Sequence, residues 1–280
     1  MPETWREHGG VFIPMYQREA LWINFDGASW RPNAVKVAVG KVNAITGDPW
    51  NERLRKKGKQ DYIVCPDQPW FDGINDGGGY ILQFIAMPLG MGYTVEGQVT
   101  GKEEFGGIQF IVFDPKPGKF PDRPPETPFA EYDGPLYCAS PAAAVMSEGI
   151  EMGLGAGGRM RQKIYPDDYG RGTWDAANYG RVYVHIVNSM TYREITGEEA
   201  PPTPVSAKTY AEHGLPWFGL YDEEKKTLKA SKALSKVRSI KTVDQGKGFG
   251  PQQDDAPVEV PASKVRKLGA KKKHIKDGTW

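Results

Sequence analysis

Ala34-Val-Lys-Val-Ala-Val-Gly-Lys-Val42 is the stretch that decides the fold class. Val35, Val37 and Val39 alternate with Lys36, Ala38 and Gly40, and a period of two puts each set on its own face of an extended strand. The alternation recurs in Gly107-Ile-Gln-Phe-Ile-Val-Phe113, where Ile108, Phe110 and Val112 share a face, and in Arg181-Val-Tyr-Val-His-Ile-Val-Asn188. Tyr62-Ile-Val-Cys65 and the run from Tyr80 to Met87 read as more fully buried strands, and Tyr93 to Thr100 as one more. Pro14 interrupts the mixed apolar run 11–25, which argues for a strand pair or an irregular strand over one helix. The 34 glycines and 23 prolines shorten helices and favour turns. The expected fold is mainly β: an antiparallel, sandwich-like body with a few short helices and an extended basic C-terminal tail.

Residues 51–60 suit a basic exposed loop or a short helix, and residues 66–80 are turn chemistry. Short helices are expected at 141–151, opened by Pro141, and at 206–214, with a Ser206 cap and a Gly214 stop. A further helix over 222–239 would have Leu228, Leu234 and Val237 as a thin apolar set. Seven prolines between 114 and 135 exclude a central strand and suit a long loop or a sub-boundary. Apolar content falls from Thr242 on. The division is therefore a β-rich body, 1–241, and a basic strap, 242–280, with Val258, Val260, Val265, Ile275 and Trp280 as apolar anchors.

Charge is divided unevenly. Residues 222–280 carry 15 Lys and Arg against 8 Asp and Glu, whereas residues 1–221 carry 21 against 27. An acidic body and a basic end point to contacts, not to a reaction. Met1 to His8 lacks the basic start and apolar run of a signal peptide, and no stretch approaches the roughly 18 apolar residues of a membrane span. Cys65 and Cys138 read as reduced buried thiols, which places the protein in the cytoplasm. Two cysteines and four scattered histidines give no zinc spacing, so no metal or cofactor is expected.

Three sets of residues are candidates for function. Gly155, Gly157 and Gly158 with Arg159, Arg161 and Lys163 form a glycine-rich, cationic stretch suited to an anion, read as a loop following a helix. It lacks the Gly-Lys-Ser/Thr of a nucleotide loop. Asp67, Asp72 and Asp76 surround Trp70, a composition with which β-sandwich modules hold sugars: rings stack on the pyranose and carboxylates accept hydroxyl protons. In the tail, Lys264, Arg266, Lys267, Lys271, Lys272, Lys273, Ile275 and Trp280 form an interaction segment. No stacking aromatics are interleaved there, and the acidic body opposes a polyanion, so nucleic acid is not the expected partner. Cys138 with His185 or His213 would need an electropositive thiolate setting that the sequence does not supply.

Met15-Tyr-Gln-Arg-Glu-Ala-Leu-Trp22, Gln83-Phe-Ile-Ala-Met-Pro-Leu-Gly90 with Gly92-Tyr-Thr-Val95, Gly157-Gly-Arg-Met-Arg-Gln162 and Asp277-Gly-Thr-Trp280 resemble a family of proteins with no established activity. The resemblance carries over no functional residue and implies only that the body and the last residues form one unit. The expected function is that of a non-enzymatic structural or interaction protein. It would associate with itself as a homo-oligomer or filament, or with an acidic protein, through its basic strap. A small-ligand module for a carbohydrate or an anion is the alternative, and an enzyme with an unrecognised site is the third reading.

Overall fold

The computed structural model describes residues 10–55, 57–125, 151–201 and 225–250, and the backbone of two further strands, Trp217–Gly219 and Val265–Lys267. Ten strands make one sheet: β1 (Val11–Pro14), β2 (Ala20–Leu21), β3 (Asn33–Val39), β4 (Val42–Asn43), β5 (Ile63–Cys65), β6 (Gly73–Gly77), β7 (Tyr80–Pro88), β8 (Ile108–Pro115), β9 (Glu151–Arg161) and β10 (Trp174–Val187). The main path runs β2-β7-β9-β10-β8-β3-β4, with β1 on β10, β5 on β3 and β6 on β7. All pairings are antiparallel except β1 with β10. The strands Trp217–Gly219 and Val265–Lys267, β11 and β12, form a separate parallel pair.

β10 makes the corner of this sheet. Its Trp174–Val184 stretch pairs with β8, and then Ile186 and Val187 pair with β9. The sheet therefore divides into one half around β3 and β8 and another around β7 and β9. Val35, Val37 and Val39 of β3, Ile108 of β8, Ile81, Phe84 and Ala86 of β7, and Met152, Leu154 and Ala156 of β9 fill one core cluster. The two halves thus face each other as sandwich layers, and each fully buried Val, Ile or Phe contributes about 1.5–3 kcal/mol.

The outer faces are covered differently. On β3, Ala34 joins Leu54, Tyr62, Val64, Ile111, Phe113 and Trp174 in a second cluster. Beside it lies Lys36, 1% exposed. Its ammonium donates to the carbonyls of Asn51 (2.8 Å) and Arg53 (2.9 Å) and to Asn51 Oδ1 (3.0 Å), and pairs with Asp61 at 3.1 Å. Burial pulls the Lys36 amine below its ordinary range, and Asp61 works against that shift. The basic loop read from the sequence is thus fastened to the sheet by a buried cation.

Several expectations are corrected. Residues 93–100 contain a helix, α1 (Val95–Thr100), not a strand. Thr94 caps it by accepting from the Gly97 amide, and Gly101 ends it with a φ of 81°. Glu96, in its first turn, turns back to accept the amides of Glu104, Phe105 and Gly106. Capping chemistry here outweighs a weak alternation. The turn-like run 66–80 contains β6, because Ile74 is a core residue and Asn75 is tied to Ile45 and Lys229 carbonyls. The expected helix over 222–239 is absent from its described part: residues 225–233 are irregular, and only a 3₁₀ turn, Leu234–Lys236, follows. Two other short helices are α2 (Ser189–Thr196) and α3 (Ile240–Gly246). The boundary expected at residue 242 falls inside α3. Of the expected helix 141–151 only Glu151 is described, and it opens β9; its other residues, the expected helix 206–214, the part of the proline-rich stretch from residue 126 on, Cys138 and His213 lie outside the described residues. Among the described residues no helix is long and apolar enough to cross a membrane.

Candidate functional site

The glycine-rich stretch is strand β9 itself, not a loop. Met152, Leu154 and Ala156 point into the core, so Gly153, Gly155 and Gly157 face outward. None of Gly155, Gly157 and Gly158 has positive φ, the conformation an anion cradle would use. Their smallness has another cause. A Cβ on Gly155 would lie 2.9 Å from the Tyr93 carbonyl oxygen and 3.2 Å from Ile240, and one on Gly157 would lie 2.5 Å from Ile85. The face is bare so that α1's leading residues and α3 can lie on the strand. Gly158 has nothing within 4 Å.

What lies there is an arm, residues 225–250. Ser231, Leu234, Val237, Ile240 and Val243 are buried at every third position. Leu234 and Val237 enter the main core, while Ile240 and Val243 pack on Met87 and Tyr93. The body is hollowed to receive it: a Cβ on Gly47 would meet Ala233 at 2.8 Å, and one on Gly77 would meet Ala230 at 2.4 Å. Polar ties run the length of the arm. The Leu228 amide donates to Ile164 (2.8 Å), Asn75 donates to the Lys229 carbonyl (2.9 Å), and the Arg238 amide donates to Gln98 (2.8 Å). Arg18 donates to both oxygens of Asp244 at 2.9 Å, and the Tyr93 hydroxyl donates to Asp244 at 2.7 Å. Burial and then Asp244 push the Tyr93 hydroxyl upward.

The two candidate sets of the body meet on the β6–β7–β9 half. Arg159 pairs with Asp76 at 2.6 Å and stacks over Tyr80 at 3.9 Å. Arg161 is exposed and stands opposite Tyr80 in register. Lys163 donates to the Lys225 carbonyl at 2.8 Å. Asp72 is buried; its oxygens accept from the Ile23 amide (2.9 Å) and from Gln162 (2.8 Å), and burial raises its carboxyl above the ordinary range. Asp67 is half-buried and faces Tyr169, whose hydroxyl is pushed up to about 12 by burial first and Asp67 next. Trp70 is half-buried, not an open platform.

The exposed ring is one the sequence reading passed over. Trp22 is 64% exposed. Ile23 and Phe71 lie in or against the core, and Asn24 bridges Trp70, so Trp22 and Trp70 share the outward face of that antiparallel pair. The alternation Leu21-Trp22-Ile23-Asn24-Phe25 was the signal.

The remaining candidates separate. Cys65 is a buried free thiol whose ionisation burial pushes far up, the opposite of a nucleophile's setting. His185 is half-buried on β10. Lys264, Lys271, Lys272, Lys273, Ile275 and Trp280 lie outside the described residues, and Arg266 and Lys267 are described only as backbone of β12. Among the described residues no three His, Cys, Asp or Glu gather to hold a metal ion. No protein-family model, curated protein or solved structure matches the chain. The likeness of its phrases to a family therefore brings neither fold nor activity.

Proposed function

We propose that this is a non-enzymatic structural or interaction protein that associates with copies of itself, a basic C-terminal strap of one copy lying on the acidic body of the next. The observation that carries this reading is the division of charge: 15 cations against 8 anions in residues 222–280, and 21 against 27 in residues 1–221. Opposite fields on two parts of one chain attract between copies and steer encounter. The strap and the body surface are different patches, so the contact is heterologous and builds a ring or a filament. Light scattering on the full chain tests it. The expected mass is several times that of one chain at low salt and falls towards one chain as salt screens the contact. One-chain mass at every salt and concentration would sink the proposal.

A second reading, a carbohydrate on the outward face of Trp22 and Trp70, draws on the exposed ring beside Asp72. Titration of tryptophan fluorescence with soluble oligosaccharides, in wild type and in Trp22→Ala, checks it. A response that survives Trp22→Ala would remove that site.

A further inference from the structure

The basic excess is concentrated in the arm, not in the tail beyond it. Residues 225–250 hold eight Lys and Arg against the single Asp244, and Asp244 is consumed by Arg18 and Tyr93. Residues 251–280 hold seven against four. The arm also has two distinct sides. Ser231, Leu234, Val237, Ile240 and Val243 grip the arm's own body, while Lys226, Lys229, Lys232, Lys236, Arg238 and Lys241 are all exposed.

Many cations of the body are paired. Arg18, Arg31, Lys36, Arg55, Lys102, Arg159, Arg181 and Arg193 each have a carboxylate within 4.0 Å. Among the described residues none of the six on the arm has one. A row of like charges repels itself, and neutralisation by an opposing surface relieves that repulsion. The buried side of the arm fixes the backbone, so less order is lost when the row is met.

We infer that the exposed row Lys226, Lys229, Lys232, Lys236, Arg238 and Lys241 is the surface on which the acidic body of a second copy docks. This rests on the self-association proposed above and moves the contact from the tail to the arm. Charge complementarity selects the occupant: residues 1–221 of another copy carry six more anions than cations. Aromatic rings to stack bases are missing from the row itself, which favours a protein surface over a single-stranded nucleic acid.

The test compares three full-length or near-full-length proteins by light scattering at low salt and at about 0.5 M salt. They are wild type, a variant with Lys229→Gln, Lys232→Gln, Lys236→Gln and Lys241→Gln, and a chain ending at Gly250. The four lysines are exposed and unpaired, so the variant's melting temperature should match wild type. The expected result is assembly at low salt by wild type and by the chain ending at Gly250, with the four-glutamine variant at one-chain mass. If the variant assembles like wild type and the shortened chain does not, the tail is the contact; the inference fails while self-association stands. If wild type has one-chain mass throughout, self-association itself fails, and the inference with it. Should that one-chain wild type shift a duplex RNA that the four-glutamine variant does not, the row serves nucleic acid and the inference is overturned in favour of that partner.

Discussion

β3 and β9 occupy equivalent places, each central to one half of the sandwich, and each turns alternate residues to the core. Their outer faces are covered in opposite ways. β3 keeps side chains there and extends the longest of them, Lys36, to the carbonyls of a loop. β9 removes its side chains and lets a separate segment, the arm, approach its backbone. Covering a strand's second face thus needs either a satisfied polar reach or an empty surface for another element. The two solutions should fail differently, because one rests on charge compensation and the other on close fit.

Asp61→Asn should have the largest effect. It leaves the buried Lys36 ammonium without its carboxylate and should cost about 3–5 kcal/mol in denaturant unfolding. A loss under about 1 kcal/mol would mean that the loop carbonyls alone satisfy the cation, and the contrast with β9 would dissolve. Gly155→Val comes next, with about 1–3 kcal/mol from overpacking against Tyr93 and Ile240, and faster amide exchange in α3. Its control is Gly158→Ala, expected within about 0.5 kcal/mol because nothing stands within 4 Å. Equal effects at the two glycines would refute close fit as the reason for the bare face. Arg18→Ala, which leaves Asp244 with Tyr93 alone, should cost about 1.5 kcal/mol and loosen α3 without touching the β3 face. Unchanged exchange in α3 would show that its apolar side suffices.

The smallest effect is on the turn leading into α1. Burial works against the charge of Glu103, but the Thr94 hydroxyl and the amides of Gly92, Thr94 and Gly90 outweigh it and hold the carboxyl below its ordinary 4.5. A depressed carboxyl stabilises the fold above about pH 4.5, and that contribution is lost as pH falls through the folded value. Wild type should therefore lose more stability than Glu103→Gln between neutral pH and pH 3. Parallel melting curves for the two proteins would show that this carboxylate does not hold the turn.

The sheet was legible because alternation is local. β5, β7, β8 and the end of β10 were read close to their bounds from apolar residues two apart, whereas the strand read over 34–42 runs past the end of β3 at Val39, through the turn at Gly40-Lys41 and into the antiparallel β4. β6 was not, since Gly73-Ile-Asn-Asp-Gly77 has turn composition and is held extended by partners distant in the chain. Strand β9 was misread for a related reason: alternate glycines look like freedom in isolation and become clearance once Ile240 and Tyr93 lie against them. The candidate sites suffered likewise. Arg159 and Asp76 were assigned to different ligands, yet they pair with each other across the sheet.

The amino-acid sequence by itself determined the β-rich class, the alternating core faces and the division of charge between the two ends of the chain. These depend on period and composition, which are properties of neighbours along the backbone. Only the tertiary structure decided that Lys36 is buried, that the glycines of β9 make room for the arm, and that one side of the arm grips the body while the other carries unpaired cations. Those facts depend on which distant segments meet, and burial and pairing energies act between residues whose separation in the chain says nothing of their separation in space.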